Sequence, residues 1–403
     1  MPQWEKDMKF TAQTSLFLIG ALAFSAQIAS AQDKPEPGSP LEGRPETEAA
    51  QKLAPMASPA LPTAEADLPQ LTVPEGFKVE VFASGLDKPR TLRVADDGTV
   101  FVSTWQGNNV YAIPPGGEPK VIYSGLDWPN GIALHGGDLY IAEHSRIVVA
   151  KDIMSDLDTP PELEEIYTGL SEPRPHGWRF LAVGPDEKLY VSNSSPCNIC
   201  ARGEGDGEIR RMELDGSGAE PILKGMRNTV GFDWSPKDGN LWFTDNQRDW
   251  LSEDIPQDEL NVLTEEGQDF GFPYCHNGIF TDPEYGWGRQ CSEFTDPVAL
   301  LGPHTAPLGM RFYEGGMFPE AYKGQIFIAK HGPWNRTVLE GAEVAVAYVD
   351  AGTGIEKTEP FMTGFIVDNQ YVGRPVDVVT MPDGAMLVSD DWNGAIYRVS
   401  YGE

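Results

Sequence analysis

One strand–turn–strand theme, written six times between residues 69 and 403, predicts an all-β protein built as a six-bladed β-propeller. The copies recur at roughly 40–60-residue spacing, the period of propeller blades. Several carry a polar turn (ADDG, GPDEK, SPKDG, MPDG) in which Asp and Gly supply hairpin backbone angles. The flanks alternate with period two, as at Leu92-Val94 and Val100-Val102, and helical periodicity persists nowhere over a useful length. A β-sandwich would also be all-β, but it leaves the repeated turn-plus-strand signature unexplained.

Along the chain, residues 1–31 read as a secretory signal peptide. Lys6 and Lys9 precede the apolar run SLFLIGALAFSAQIASA, which ends in the small-x-small site Ala29-Ser30-Ala31. That run is too short to predict a membrane span. Residues 32–68 are rich in Pro, Ala and Glu and poor in large apolar side chains, as in a flexible tether. The propeller domain follows over 69–403. FKVEVFASG at 77–85 is expected to close the ring against the last blade. The six copies then begin at GLDKPRTLRVADDG, GLDWPNGIALHGGD, PHGWRFLAVGPDEK, MRNTVGFDWSPKDG, TAPLGMRFYEGG and GRPVDVVTMPDG.

The formal net charge of −31 argues against nucleic-acid binding, which needs a basic footprint. Solubility is the plain reading of that charge, and steering of a cationic partner, such as an electron-carrier protein, is the functional one. Four cysteines in an exported chain read as two disulfides, Cys197–Cys200 and Cys275–Cys291 by proximity. A thioredoxin-like redox motif would want a βαβ context, and c-type haem attachment would want His where Ala201 stands. A four-cysteine zinc clip lacks a second close pair. The expected compartment is periplasmic or extracellular.

Residues just before each inner strand, and just after certain second strands, should converge on one rim. They include Arg90, Asn130, His176, Arg227, Asn228, Lys330, Arg374 and the DNQRD stretch at 245–249. One potential base among clustered cations, in an otherwise acidic chain, suggests an anionic ligand bound by charge-assisted hydrogen bonds. Trp105, Trp128, Trp178 and Trp334 are read chiefly as blade packing, with stacking on a sugar as the other use.

The segments PHGWRFLAVGPDEKLYV, RNTVGFDWSP, DELN…GFPY, FIAKHG and GRPVDVVTMPDG, in that order from about residue 71 onward, resemble the soluble quinoprotein sugar dehydrogenases. They resemble in particular the sorbosone-dehydrogenase-like and pyranose-dehydrogenase branches. That resemblance implies an exported six-bladed propeller that oxidises an aldose or sugar-derived aldehyde using pyrroloquinoline quinone (PQQ) and Ca2+. It makes His176 the catalytic base, and Arg227, Asn228, Lys330 and Arg374 the cofactor-binding set. Asn130 would line the sugar side, and Gln247, Arg248 and Asp249 would hold calcium through main-chain carbonyls. Hydride would pass from the substrate carbon to the quinone, with calcium polarising its carbonyl. Two positions depart from the family pattern: Ser195 stands where an Asp orients the base, and Val376 where a second last-blade arginine is expected. Two rival readings are a metal-dependent lactonase, which would want a rim richer in Glu, Asn and Asp, and a propeller binding module without a cofactor.

Overall fold

Three of the inner hairpin turns, in the first, third and last blades, use the same local chemistry. In the first, Ala95 N–H donates to Thr99 O at 2.9 Å, Gly98 N–H to Ala95 O at 2.9 Å, and Thr99 N–H to Asp97 Oδ1 at 2.8 Å. The last blade repeats it with Met381, Gly384, Ala385 and Asp383. Gly98 and Gly384 both have φ +88°, which glycine adopts without steric cost. In the third blade Glu187 takes that place at φ +61°.

The computed structural model describes residues 70–172 and 175–402. The expected signal peptide (1–31) and tether (32–68) lie outside the described residues. Six four-stranded antiparallel sheets make the six blades. Blade 1 comprises Pro89–Val94, Val100–Thr104, Val110–Ile113 and Lys120–Tyr123, and blade 2 spans 131–167 in the same order. Blades 3, 4 and 5 begin at Leu181–Val183, Phe232–Trp234 and Pro307–Phe312. Blade 6 takes three strands from 375–401 and its outer strand from Phe77–Ala83, which pairs antiparallel from Phe77↔Tyr401 to Ala83↔Ile396. This is the ring closure expected from FKVEVFASG. Only single 3-10 turns, such as Ile153–Ser155, interrupt the β structure among the described residues.

Blades are stitched by second-strand hydroxyls that donate to the next blade's inner strand. Thr244 bonds Leu308 O at 2.8 Å and Ser389 bonds Arg90 O at 2.7 Å. The approach is close enough to exclude a side chain: a Cβ at Gly231 would lie 2.0 Å from Leu308 O. Apolar clusters fill the wedges between blades. Phe77 seats the closing strand in the wedge between blades 5 and 6, edge-on to Phe318 (4.8 Å) and Phe361 (5.0 Å). Both expected disulfides are present, Cys197–Cys200 after the second strand of blade 3 and Cys275–Cys291 across an insertion in blade 4.

Candidate active site

Antiparallel blades bring the start of each inner strand and the end of each second strand to the same rim. Every rim residue expected from the sequence therefore stands at one mouth of the ring. Blades 1–3 and blades 4–6 contribute different chemistry to it.

On blade 3, His176 is half-buried with φ +53°, a left-handed conformation uncommon outside glycine. Its Nδ1 lies 2.7 Å from the Ser195 carbonyl oxygen. A carbonyl can only accept, so Nδ1 carries the proton and Nε2 keeps its lone pair. Burial, reinforced by the Arg227 and Arg179 cations, holds the imidazole well below its ordinary pKa despite the Ser195 bond. His176 is therefore a neutral base of defined tautomer. Ser195 orients it by its main chain, so the aspartate missing from the sequence pattern is replaced by a carbonyl. The Ser195 N–H in turn donates to Arg227 O at 2.8 Å, tying blade 3 to blade 4. Asn193, two residues before Ser195, bonds Ser171 N–H and Gly205 O instead.

Beside His176 stand three partly exposed tryptophans. Trp178 is 6.3 Å from the His176 ring and stacks at 6.2 Å and 19° on Trp128, with Trp105 edge-on to both. Asn130 is buried in the wall, taking a 2.8 Å bond from Arg90 Nε and donating 3.0 Å to Arg179 O. Arg90 continues to Asp391 on blade 6 at 2.9 Å, and Asp391 meets His331 Nε2 on blade 5 at 2.8 Å. Asn130 thus braces the wall, and its side chain is spent within it. Burial and Arg374 push His331 down to about 4, while His331 and the arginines hold Asp391 well below the usual carboxylate range against its own burial.

Blades 4–6 supply Arg227, Lys330 and Arg374. Arg227 is buried and bonds Asn198, Asn246 O and Asp249, each within 3.0 Å. Its turn hangs from Asp245, whose carboxylate receives the Arg227 and Asn228 N–H groups; burial pushes Asp245 up to about 7. The Asn228 Oδ1 is enclosed without a protein partner. Lys330 pairs with Glu343 at 3.1 Å. Arg374 donates to the carbonyls of His331 and Gly332 and lies 4.6 Å over Tyr371. Val230, Leu308 and Val376 cluster at the inner-strand starts with Trp178 against them, forming an apolar floor. Val376, the second departure, belongs to that floor.

The stretch expected to hold calcium has no free side chains. Gln247 bridges Asp245 and His276, Arg248 pairs with Asp282 and Glu284, and Asp249 is shared by Arg227 and Asn335. Among the described residues no group of three or more His, Cys, Asp or Glu is arranged to hold a metal ion. The main-chain carbonyls of Gln247 and Arg248 remain as donors there, while that of Asp249 accepts from Asn198 and Arg248. Sequence reasoning placed Arg90 and the 245–249 stretch on the rim without the organising bonds of Arg90 and Asp245, and it missed Asp391. The signal for Asp391 was position, at the end of a second strand like Lys330.

The six-bladed ring thus sets a neutral histidine, three cations and an apolar cluster at one mouth. The chain belongs to the TrAA12-like family, whose model matches residues 71–402. An uncharacterised protein of Borreliella burgdorferi is 32% identical over 82% of this chain and 91% of that protein. A pyrroloquinoline quinone-dependent pyranose dehydrogenase of Coprinopsis cinerea is 24% identical over 82% of this chain, which spans 54% of that protein. Among solved structures, the holo PQQ domain of that pyranose dehydrogenase superposes with TM-score 0.71 at 20% identity, covering 84% of this chain and 99% of the domain. The PQQ-bound aldose sugar dehydrogenase of Streptomyces coelicolor gives 0.60 at 20% identity, covering 82% and 99%.

Proposed function

We propose that the protein is an exported quinoprotein dehydrogenase that oxidises an aldose or a sugar-derived aldehyde. The observation that carries this reading is His176, fixed by Ser195 O with Nε2 left as a base and kept neutral by burial and two cations. The residues present suit PQQ: the floor of Val230, Leu308 and Val376 accepts a flat ring, and the orphaned Asn228 Oδ1 awaits a donor. Lys330, Arg227 and Arg374 would hold its carboxylates and carbonyls with the N–H groups that their present partners leave over. PQQ when bound would supply a two-electron acceptor.

His176 Nε2 takes the hydroxyl proton of a lactol or hydrated aldehyde, and the Nδ1 bond to Ser195 steadies the imidazolium so formed. Arg227, Lys330 and Arg374 would supply preorganised positive charge beside the bound cofactor. Calcium would be held by main-chain carbonyls of this stretch, since the side chains of 247–249 are committed to protein partners, and no step above depends on it. The disulfides suit an oxidising compartment, in accord with a periplasmic or secreted protein, and the acidic chain favours a cationic acceptor such as a cytochrome.

Titration of the purified protein with PQQ, followed by its absorption spectrum and by dye reduction with aldoses, tests this reading. A perturbed quinone spectrum and sugar-dependent reduction are expected. Neither appearing would leave a binding module. His176→Ala should lower turnover by about 100-fold or more, the scale of a lost general base, with PQQ still bound. Loss of PQQ binding instead would make His176 a cofactor ligand.

A further inference from the structure

Trp105 and Trp128 have no part in the chemistry above, yet this side of the rim is built at a conformational cost. Trp128 sits at φ +55°, and its rim neighbours Lys88, Gln106 and Asn108 lie between +51° and +56°. For a bulky residue such as Trp this region is a genuine outlier, and strain of this kind collects at ligand sites. Packing alone gives a weaker account, because Trp105, Trp128 and Trp178 all remain partly exposed while the true core aromatics are buried. The indole N–H groups of Trp105 and Trp178 are enclosed. What remains accessible of their indoles is therefore ring carbon. Lys88 lies over one face of the Trp105 ring, 5.0 Å from its centroid, and donates to Gln106 Oε1 at 2.8 Å. An apolar corner, with Trp105 at 88° to Trp128 and an ammonium and an amide beside it, suits a ligand with a C–H face and a hydroxylated edge, which is a sugar ring.

The extent of the surface matters as much as its nature. Trp178 adjoins His176, and the Trp128 and Trp105 centroids lie a further 6.2 and 5.6 Å from Trp178. One ring at the base leaves Trp105 and Trp128 for a second. We infer that Trp105 and Trp128 form a subsite for the sugar unit beyond the one oxidised, so that the substrate class is a reducing oligosaccharide rather than a free monosaccharide. This rests on the dehydrogenase reading for the reaction, but the binding itself does not.

Trp105→Leu keeps apolar volume in the cluster and removes the flat face, and Trp128→Phe serves as a milder second variant. With PQQ-loaded protein, the ratio of kcat/KM for cellobiose and cellotriose to that for glucose should fall about tenfold in Trp105→Leu, equivalent to about 1.4 kcal/mol. The loss should appear in KM. Without cofactor, intrinsic tryptophan fluorescence titrated with cellotriose should show saturable binding that weakens by a similar factor in the variant. If no sugar is oxidised but the fluorescence titration behaves this way, the dehydrogenase reading fails and the subsite stands. An unchanged ratio or titration in both variants, or equal losses for glucose and the oligosaccharides, overturns the subsite.

Discussion

His176 and His331 stand on blades 3 and 5, and each spends one ring nitrogen on a fixed partner. For His176 the partner is a carbonyl oxygen, and for His331 it is the Asp391 carboxylate. Both rings are held below the ordinary histidine pKa, since burial and neighbouring arginines disfavour the charged form more than the partners favour it. For His176 the Arg227 cation is the largest contribution after burial. Arg227→Gln should therefore raise the His176 pKa toward its usual value. Because the base must be neutral to accept a proton, the acid limb of kcat/KM moves to higher pH in this variant. A pH–rate profile reads the shift, and an unmoved limb would show that burial alone sets the value. His176 could be singled out in the sequence because it precedes an inner strand within a recurring pattern. Its tautomer could not, because Ser195 lies 19 residues away and acts through its main chain.

Strand pairing creates electrostatic relations that no single segment announces. In blade 4, Asp245 on Leu241–Asp245 pairs with Glu259 on Gln257–Leu263. Burial and the Asp245 charge push Glu259 up to about 8, against the hydrogen bonds it receives from Asn277 and Asn261. A carboxyl whose folded pKa is raised contributes stability that is fully present below its unfolded value. That contribution is lost as pH rises through the folded value. Stability should thus decline from about pH 4.3, the ordinary Glu value, up to about pH 8, and Glu259→Gln should flatten the decline. Melting temperatures across that window, compared between variant and parent, check this. A parallel pair of curves would mean that Glu259 is ionised throughout. The turns of blades 1 and 6 were legible because Asp and Gly act within four residues. The blade 4 insertion was not, and only its two cysteines marked it.

Closure of the ring joins residues more than 300 positions apart. Phe77↔Tyr401 begins the outer strand pair of blade 6, and the Phe77 ring completes the aromatic wedge beside blade 5. Phe77→Ala should cost about 3–5 kcal/mol, the usual range for a buried phenylalanine. Denaturant unfolding measures it, and a loss under about 1 kcal/mol would show that the ring holds without this seat. The sequence by itself determined the number of blades, the closing strand, the disulfide partners and which strand ends carry chemistry-bearing residues. These follow from short-range patterning: period two along strands, Asp–Gly turns and a repeat that a ring must close. Only the tertiary structure decided what those residues do together. It turned Asn130 inward as a brace and committed the side chains of 247–249 to partners. It also supplied the Ser195 carbonyl to His176 and gathered three tryptophans from three blades into one surface. Burial, partner and orientation are properties of the assembled rim, where groups distant in sequence set one another's charge and exposure.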